Sequence, residues 1–298
     1  MSFPLSRTTP GAPRYLVPLA LATLYLVWGS TYLGIRFALE SWPPFLLAAI
    51  RFVFAGGVLY AWLRLRGAAA PTRLQWRNAA ITGTLLPAFG TGFVCYAEQY
   101  VSSGVAAVAI ASMPLFMALF EGVYGNWPNR RETLGLVVGF AGVIVLNLGD
   151  TLSGSRVGAL TLLIAAAAWA FGSVWSKRRD MPRGAMNVAA QMLCGGAVLV
   201  VLALATGERW PQAPTLSATL ALAYLAVFGS LVAFSAYLYA LAHARPVLAT
   251  SYAYVNPPVA VLFGVVLAGE HAGAFELAGM AIILVGVAAI TLGHRGGH

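Results

Sequence analysis

Apolar runs long enough to cross a lipid bilayer follow one another along this chain, separated only by short loops. A bilayer core of about 30 Å needs about 20 apolar residues in a helix. In lipid every backbone N–H and C=O must find an internal partner, so only helices and closed barrels can span it. The runs are continuous rather than alternating, which selects helices. Ten spans are expected, at roughly 15–38, 43–63, 78–99, 103–126, 132–149, 157–176, 184–206, 215–242, 246–269 and 273–293. Of the 298 residues, 60% are hydrophobic and 9% charged, against about 25% charged in a soluble domain. Arg7 and Arg14 precede the first run as they would in a signal peptide. That run exceeds the roughly 7–15 apolar residues of a signal-peptide core, so it reads as a retained first span.

Basic residues orient the spans. With a cytoplasmic N-terminus, one side receives Arg7, Arg14, Arg64, Arg66, Arg73, Arg77, Arg130, Arg131, Lys177, Arg178, Arg179, Arg183, Arg245 and Arg295. Only Arg156 and Arg209 fall in loops on the other side, while Arg36 and Arg51 lie inside spans. The positive-inside rule then puts both termini in the cytoplasm. The net charge of +9 does not imply nucleic acid as a partner, because the cations sit in short loops without an aromatic–basic patch. Cys95 and Cys194 lie singly in apolar spans and read as packing residues, not as a disulfide or metal framework.

The chain also repeats. Shifted by 143 residues, Trp28–Ser30 (WGS) meets Phe171–Ser173 (FGS), and Tyr96, Pro114 and Phe120 meet Tyr239, Pro257 and Phe263. Shifted by 144, Glu132, Gly135 and Gly142 meet Glu276, Gly279 and Gly286. Repetition over half the chain predicts two five-span units, 15–149 and 157–293, between tails 1–14 and 294–298. An odd number of spans inverts the second unit. Inverted repeats mark secondary transporters, with the substrate site at the midplane between them.

Polar and aromatic residues within the spans are candidates for that site. Tyr25, Trp28, Tyr32 and Arg36 share one face of span 1, a stripe roughly 16 Å long at the helical rise. The stripe reads either as an interfacial aromatic belt with a snorkelling arginine or as a cavity wall, with Ser30 nearby. Arg51 lies about two turns inside span 2, where a charge costs at least about 2.5–3.5 kcal/mol unless it is paired or hydrated. Glu98 is its candidate partner; the pair is either structural or an outer gate or carboxylate anchor. Gln99 belongs to the same network. Tyr96 in span 3, Met113 in span 4, Trp169 and Ser173 in span 6, Tyr237 in span 8, and Tyr252 and Asn256 in span 9 complete the expected cavity.

Pro114, Pro257 and Pro258 predict helix breaks in spans 4 and 9, where backbone groups can face a substrate. Glu121 either snorkels, pairs with Arg130 or takes part in transport. Gly135 and Gly139 form a GxxxG, for packing within the chain or for a weak dimer. Enzyme, metal, cofactor and ATP-binding motifs are absent from the sequence. Transport would then be secondary or passive, with protons as the candidate coupling ion.

The stretches LVWGSTYLGIRFALESWPPFLLAAIRF and NPPVAVLFGVVLAGEHAGAFELAGMAIILVGVAAI resemble the EamA group of the drug/metabolite transporter superfamily. The group's NP…GE…G…G pattern is matched by Asn256–Pro257, Gly269–Glu270, Gly279 and Gly286. The resemblance implies a bacterial inner-membrane exporter of amino acids or other small metabolites. It also implies helices 1–4 and 6–9 around a central cavity, with 5 and 10 at the side. Two alternatives stand beside it: a multidrug or toxic-compound efflux transporter of the same fold, and a non-transporting membrane sensor or assembly protein.

Overall fold

The computed structural model describes residues 15–101, 106, 109–146, 156–268 and 274–295. Arg7, Arg14 and the Gly269–Glu270 pair lie outside them. The described residues form helices and no strand. In chain order the helices are α1 (Leu16–Leu39), α2 (Pro44–Leu65), α3 (Arg73–Ala97), α4 (Met113–Val123), α5 (Arg130–Leu146), α6 (Arg156–Ser176), α7 (Ala185–Ala205), α8 (Leu216–His243), α9 (Tyr252–Ala268) and α10 (Ala274–Arg295). The protein is an all-α polytopic membrane protein. Six helices, α1, α2, α3, α6, α7 and α8, are long and apolar enough to cross a membrane. Of the other four, α4, α5 and α9 are shorter among the described residues, at 11, 17 and 17 residues, while α10 has 22.

Spans 4 and 9 are each split by a turn. Ala111–Ser112 interrupts the first, with Ser112 Oγ donating to Ala109 O at 2.5 Å. In the second, the short helix Pro246–Ala249 ends at Thr250–Ser251. Thr250 Oγ1 donates to Pro246 O at 2.9 Å and Ser251 Oγ to Leu248 O at 2.8 Å. Hydroxyls that bond their own preceding turn compete with helix propagation. The breaks therefore do not fall at the prolines themselves. Pro114 opens α4 at its first turn, where its missing N–H costs nothing. Pro257 and Pro258 lie inside α9, beyond the turn.

Other ends are set by caps. Thr72 and Gln75 form a capping box at α3, and Asn129 and Glu132 exchange the same pair of bonds at α5. At α2 the cap comes from a distant loop: Glu208 accepts from the N–H of Phe45 at 3.1 Å and of Leu46 at 2.7 Å. A carboxylate there also meets the positive end of the helix dipole.

α2 packs on α7 and α5 on α10; α1 packs on α8 and α9, and α6 on α3 and α4. Advancing every helix by five positions turns this set of pairings into itself. Small residues allow the close crossings. A Cβ on Gly286 would lie 2.5 Å from the backbone N of Gly139, so α5 and α10 meet backbone to backbone. The GxxxG of α5 is thus occupied within the chain.

The loops sort onto two faces. Asp180, after α6, meets Gln75 and Asn78 of α3; Arg178 meets Glu121 of α4; Arg245 meets Glu132 of α5. That face carries the basic loops. On the opposite face Ser41 bonds Thr215, and Trp42 meets Trp210 edge to face at 5.0 Å.

Candidate functional site: a cavity walled by aromatic rings

A cavity lies among α1, α2, α3, α4, α6, α8 and α9; spaces between the helices of a bundle are common small-molecule sites. None of the described lining residues belongs to α5 or α10. It occupies the half of the molecule away from the basic loops. Its aromatic wall is built from three helices: Trp28 meets Trp169 at 5.4 Å and Tyr252 at 4.6 Å between ring centroids, both edge to face. Tyr237, fully buried, closes the floor against Trp28 and Trp169 at 5.5 and 5.4 Å. Tyr252 donates its hydroxyl to Met113 Sδ at 3.5 Å. These two residues begin α9 and α4 directly after the two split turns, so both breaks deliver a side chain to the cavity.

Arg51 lines the cavity and is 2% exposed. Its Nε donates to Ser230 Oγ at 3.3 Å and its guanidinium sits 5.6 Å from the Phe52 ring. Its Nη1 has no hydrogen-bond partner. The expected ion pair with Glu98 is not formed; the guanidinium lies between Ser230 of α8 and Cys95 of α3. Glu98 lies within electrostatic reach of Arg51 and Arg36, but its Oε1 is unbonded. Asn256, also 2% exposed, presents an unbonded Oδ1, with the Tyr32 hydroxyl beside the same amide. Trp169 Nε1, near the Tyr237 hydroxyl, likewise lacks a well-formed bond. Buried polar atoms are normally satisfied. Orphaned donors and an acceptor on residues lining one cavity are groups that a polar solute can satisfy.

Of the residues singled out by sequence, Trp28, Tyr32, Arg51, Met113, Trp169, Tyr252 and Asn256 line this cavity. Others stand one layer behind it. Tyr25 bonds Ser251 Oγ at 2.7 Å, and the two Gly–Ser serines each reach a tyrosine of α8: Ser30 to Tyr224 at 2.5 Å, Ser173 to Tyr237 at 2.6 Å. Tyr96, Arg36 and Gln99 lie off the cavity. Tyr96 stacks on Phe45 at 5.4 Å, Arg36 is exposed, and exposed Gln99 bonds back to Tyr96 O. Glu121 pairs with Arg178 at 2.7 Å rather than with Arg130, since α4 packs on α6 and Arg178 directly follows it. Arg178 also lies 4.0 Å from the Tyr124 ring. Burial pushes the neighbouring Lys177 ammonium below its usual range, and Glu121 only partly offsets this.

The sequence comparison missed Gly90, Gly229 and Ser230. α3 and α8 are wound as π-helix over Thr84–Gly92 and Leu225–Val232, corresponding positions of the two halves. Such turns are frequent at functional sites. Trp28 Nε1 donates to Gly229 O at 2.9 Å, and a Cβ on Gly90 would overlap the Trp169 ring. The signal was present: Phe89–Gly90–Thr91 and Phe228–Gly229–Ser230 repeat the aromatic–Gly–hydroxyl pattern of Trp28–Ser30 and Phe171–Ser173. All four glycines lie at close helix crossings. The overlay of Trp28 on Phe171 also misleads, since Phe171 is 38% exposed on the outside and Trp169 takes the facing position.

A profile of the EamA-like transporter family matches residues 16–148 and again residues 156–292. The chain belongs to the EamA-like transporter family. It is 46% identical over 283 residues to "Uncharacterized inner membrane transporter YedA" of Escherichia coli K12, covering 94% of this chain and 92% of that one. It is 26% identical over 275 residues to an "Uncharacterized transporter" of Archaeoglobus fulgidus, covering 90% and 95%. A crystal structure shares its fold at a TM-score of 0.76, with 24% identity over 94% of this chain and 98% of the other. This EamA-family protein is therefore a small-molecule membrane transporter, and its sequence carries no ATP-binding motif.

Proposed function

We propose that this protein carries small amphiphilic carboxylates, amino acids foremost, out of the cytoplasm across a bacterial inner membrane by alternating access. The observation that carries the reading is Arg51. It is a buried cation with a free Nη1, in a cavity whose lining includes Trp28, Trp169 and Tyr252 and, among the described residues, no acid. An arginine N–H offered to a carboxylate is among the stronger hydrogen bonds in proteins. The rings match an apolar or ring-bearing side group. A cationic drug would leave Arg51 unpaired and repelled, which speaks against the efflux alternative. Glu98, near Arg51, is the candidate site for proton coupling.

The repeats 15–149 and 157–293 are read as inverted, with both termini cytoplasmic. Support comes from the two profile matches, the pairings that survive a five-helix shift, and the basic loops gathered on one face. In that orientation the cavity belongs to an outward-facing state. The chain acts as a monomer, its GxxxG being used internally. Proteoliposome counterflow tests the reading: labelled amino acids should exchange, with a pH gradient altering the rate if protons are coupled. Counterflow of cationic dyes with no exchange of any carboxylate would overturn it.

In this scheme the basic face is latched shut by Glu121–Arg178 at 2.7 Å and Glu132–Arg245 at 2.9 Å, both joining one half to the other. Glu121→Gln should open that face about ten times as often or more, since hydrogen bonds to charged groups contribute about 1.5–3 kcal/mol. The measurement is the rate at which a cysteine placed at Tyr25, in a background lacking Cys95 and Cys194, reacts with an impermeant thiol reagent from the basic side. An unchanged rate means the pair is not a latch.

A further inference from the structure

We infer that the turn between α2 and α3, with the loop after α6 beside it, binds the phosphate headgroup of an anionic phospholipid. Arg64, Arg66, Arg73 and Arg77 are all exposed there. Elsewhere on this face Arg178 and Arg245 have acidic partners; among the described residues these four have none. Asp180 reaches the turn but neutralises none of them. Its carboxylate accepts from Gln75 Nε2 at 3.1 Å, and its backbone O from Asn78 Nδ2 at 3.0 Å.

The surroundings are those of the membrane interface rather than of open water. Trp62 is 51% exposed, with the Arg66 guanidinium 5.3 Å from its ring; Tyr60 and Trp76 lie 5.8 Å apart; Arg179, on the adjoining loop, sits 4.9 Å from Trp175. Leu65 is 88% exposed and Leu74 is also exposed, beside the charges. Tryptophan and tyrosine settle at headgroup depth, and arginine binds phosphate oxygens bidentately. Leu65 follows Trp62 by one turn and Leu74 precedes Trp76, so exposed leucines and indoles flank the cations at the same end of α2 and α3. The arginines suit a phosphodiester and the leucines its acyl chains, for which a soluble phosphate has no use. Basic sites between helices on the cytoplasmic side are a recognised means of holding anionic headgroups. Because the site spans α2, α3 and the α6–α7 loop, a bound lipid would join the two halves.

The test uses the full-length protein in neutral detergent, titrated separately with phosphatidylglycerol, phosphatidylcholine and inorganic phosphate. Readouts are lipid adducts in native mass spectra and the thermal midpoint. Phosphatidylglycerol should give retained adducts and a raised midpoint. Arg73→Gln/Arg77→Gln should weaken this by about tenfold or more, with its lipid-free midpoint unchanged. Arg130→Gln/Arg131→Gln, on the same face, is the control and should bind normally. Equal binding of phosphatidylcholine, an equal effect of inorganic phosphate, or an equal loss in the control would each overturn the assignment. Neither readout depends on the transported substrate.

Discussion

Arg51→Ala should leave a folded protein that no longer exchanges carboxylates. A hydrogen bond to a charged group contributes about 1.5–3 kcal/mol, which corresponds to roughly 10- to 150-fold in apparent affinity. The loss should be selective. A solute of the same shape with its carboxylate amidated gains nothing from Arg51 in the native protein and should lose nothing in the variant. Arg51→Lys should recover only part of the affinity, because an ammonium cannot keep the Ser230 bond and present a second planar donor together. Concentration dependence of exchange in proteoliposomes, set against the midpoint in detergent, separates a lost anchor from a damaged fold. Removing Arg51 relieves a buried cation but also takes the Ser230 bond and the charge near Glu98, so the midpoint should change little. Full exchange by Arg51→Ala would remove Arg51 from the site.

Gly90→Val should abolish transport by filling the place of the Trp169 ring. Gly90 lies on the π-wound stretch of α3, and a Cβ there would overlap that ring. Trp169 would have to leave its edge-to-face contact with Trp28. Overpacking of this kind costs about 1–3 kcal/mol, and the displaced indole has only the cavity to enter. Pairing the change with Trp169→Ala should restore the midpoint and part of the volume without restoring the aromatic wall. Quenching of tryptophan fluorescence by a cavity-sized solute, alongside exchange rates, reads both effects. A Gly90→Val protein that transports normally would show that the α3–α6 crossing is looser than the backbone geometry requires.

Much of the site could be read from the chain because membrane burial makes polarity conspicuous. Arg51, Trp28 and Asn256 stand out in apolar runs for the reason that makes them candidates for function: lipid offers them no partner. The pairing of Ser30 with Ser173 was also visible, as a repeated Gly–Ser. What escaped were residues whose role depends on backbone shape. Gly229 matters through its carbonyl and Ser230 through a hydroxyl aimed at Arg51; both follow from the π-winding of α8, which has no sequence signature as strong as a charge in a span.

The helix breaks divide in the same way. Prolines predicted interruptions in spans 4 and 9, and both spans are interrupted. The interruptions fall at Ser112 and at Thr250–Ser251 because hydroxyl-to-carbonyl bonds end a turn locally, while a proline near a helix start is tolerated.

Hydrophobicity and the placement of arginines thus decided, from the chain alone, that this is a helical membrane protein with a basic face. Those signals are additive along the sequence and survive any packing. Which aromatic faces Trp28, which acid meets Arg178 and which atoms of Arg51 stay free were decided only when the helices packed. Such choices turn on crossings where glycines let backbones approach to contact, and two residues of register exchange a ring in the cavity for a ring on the outside, as Trp169 and Phe171 do.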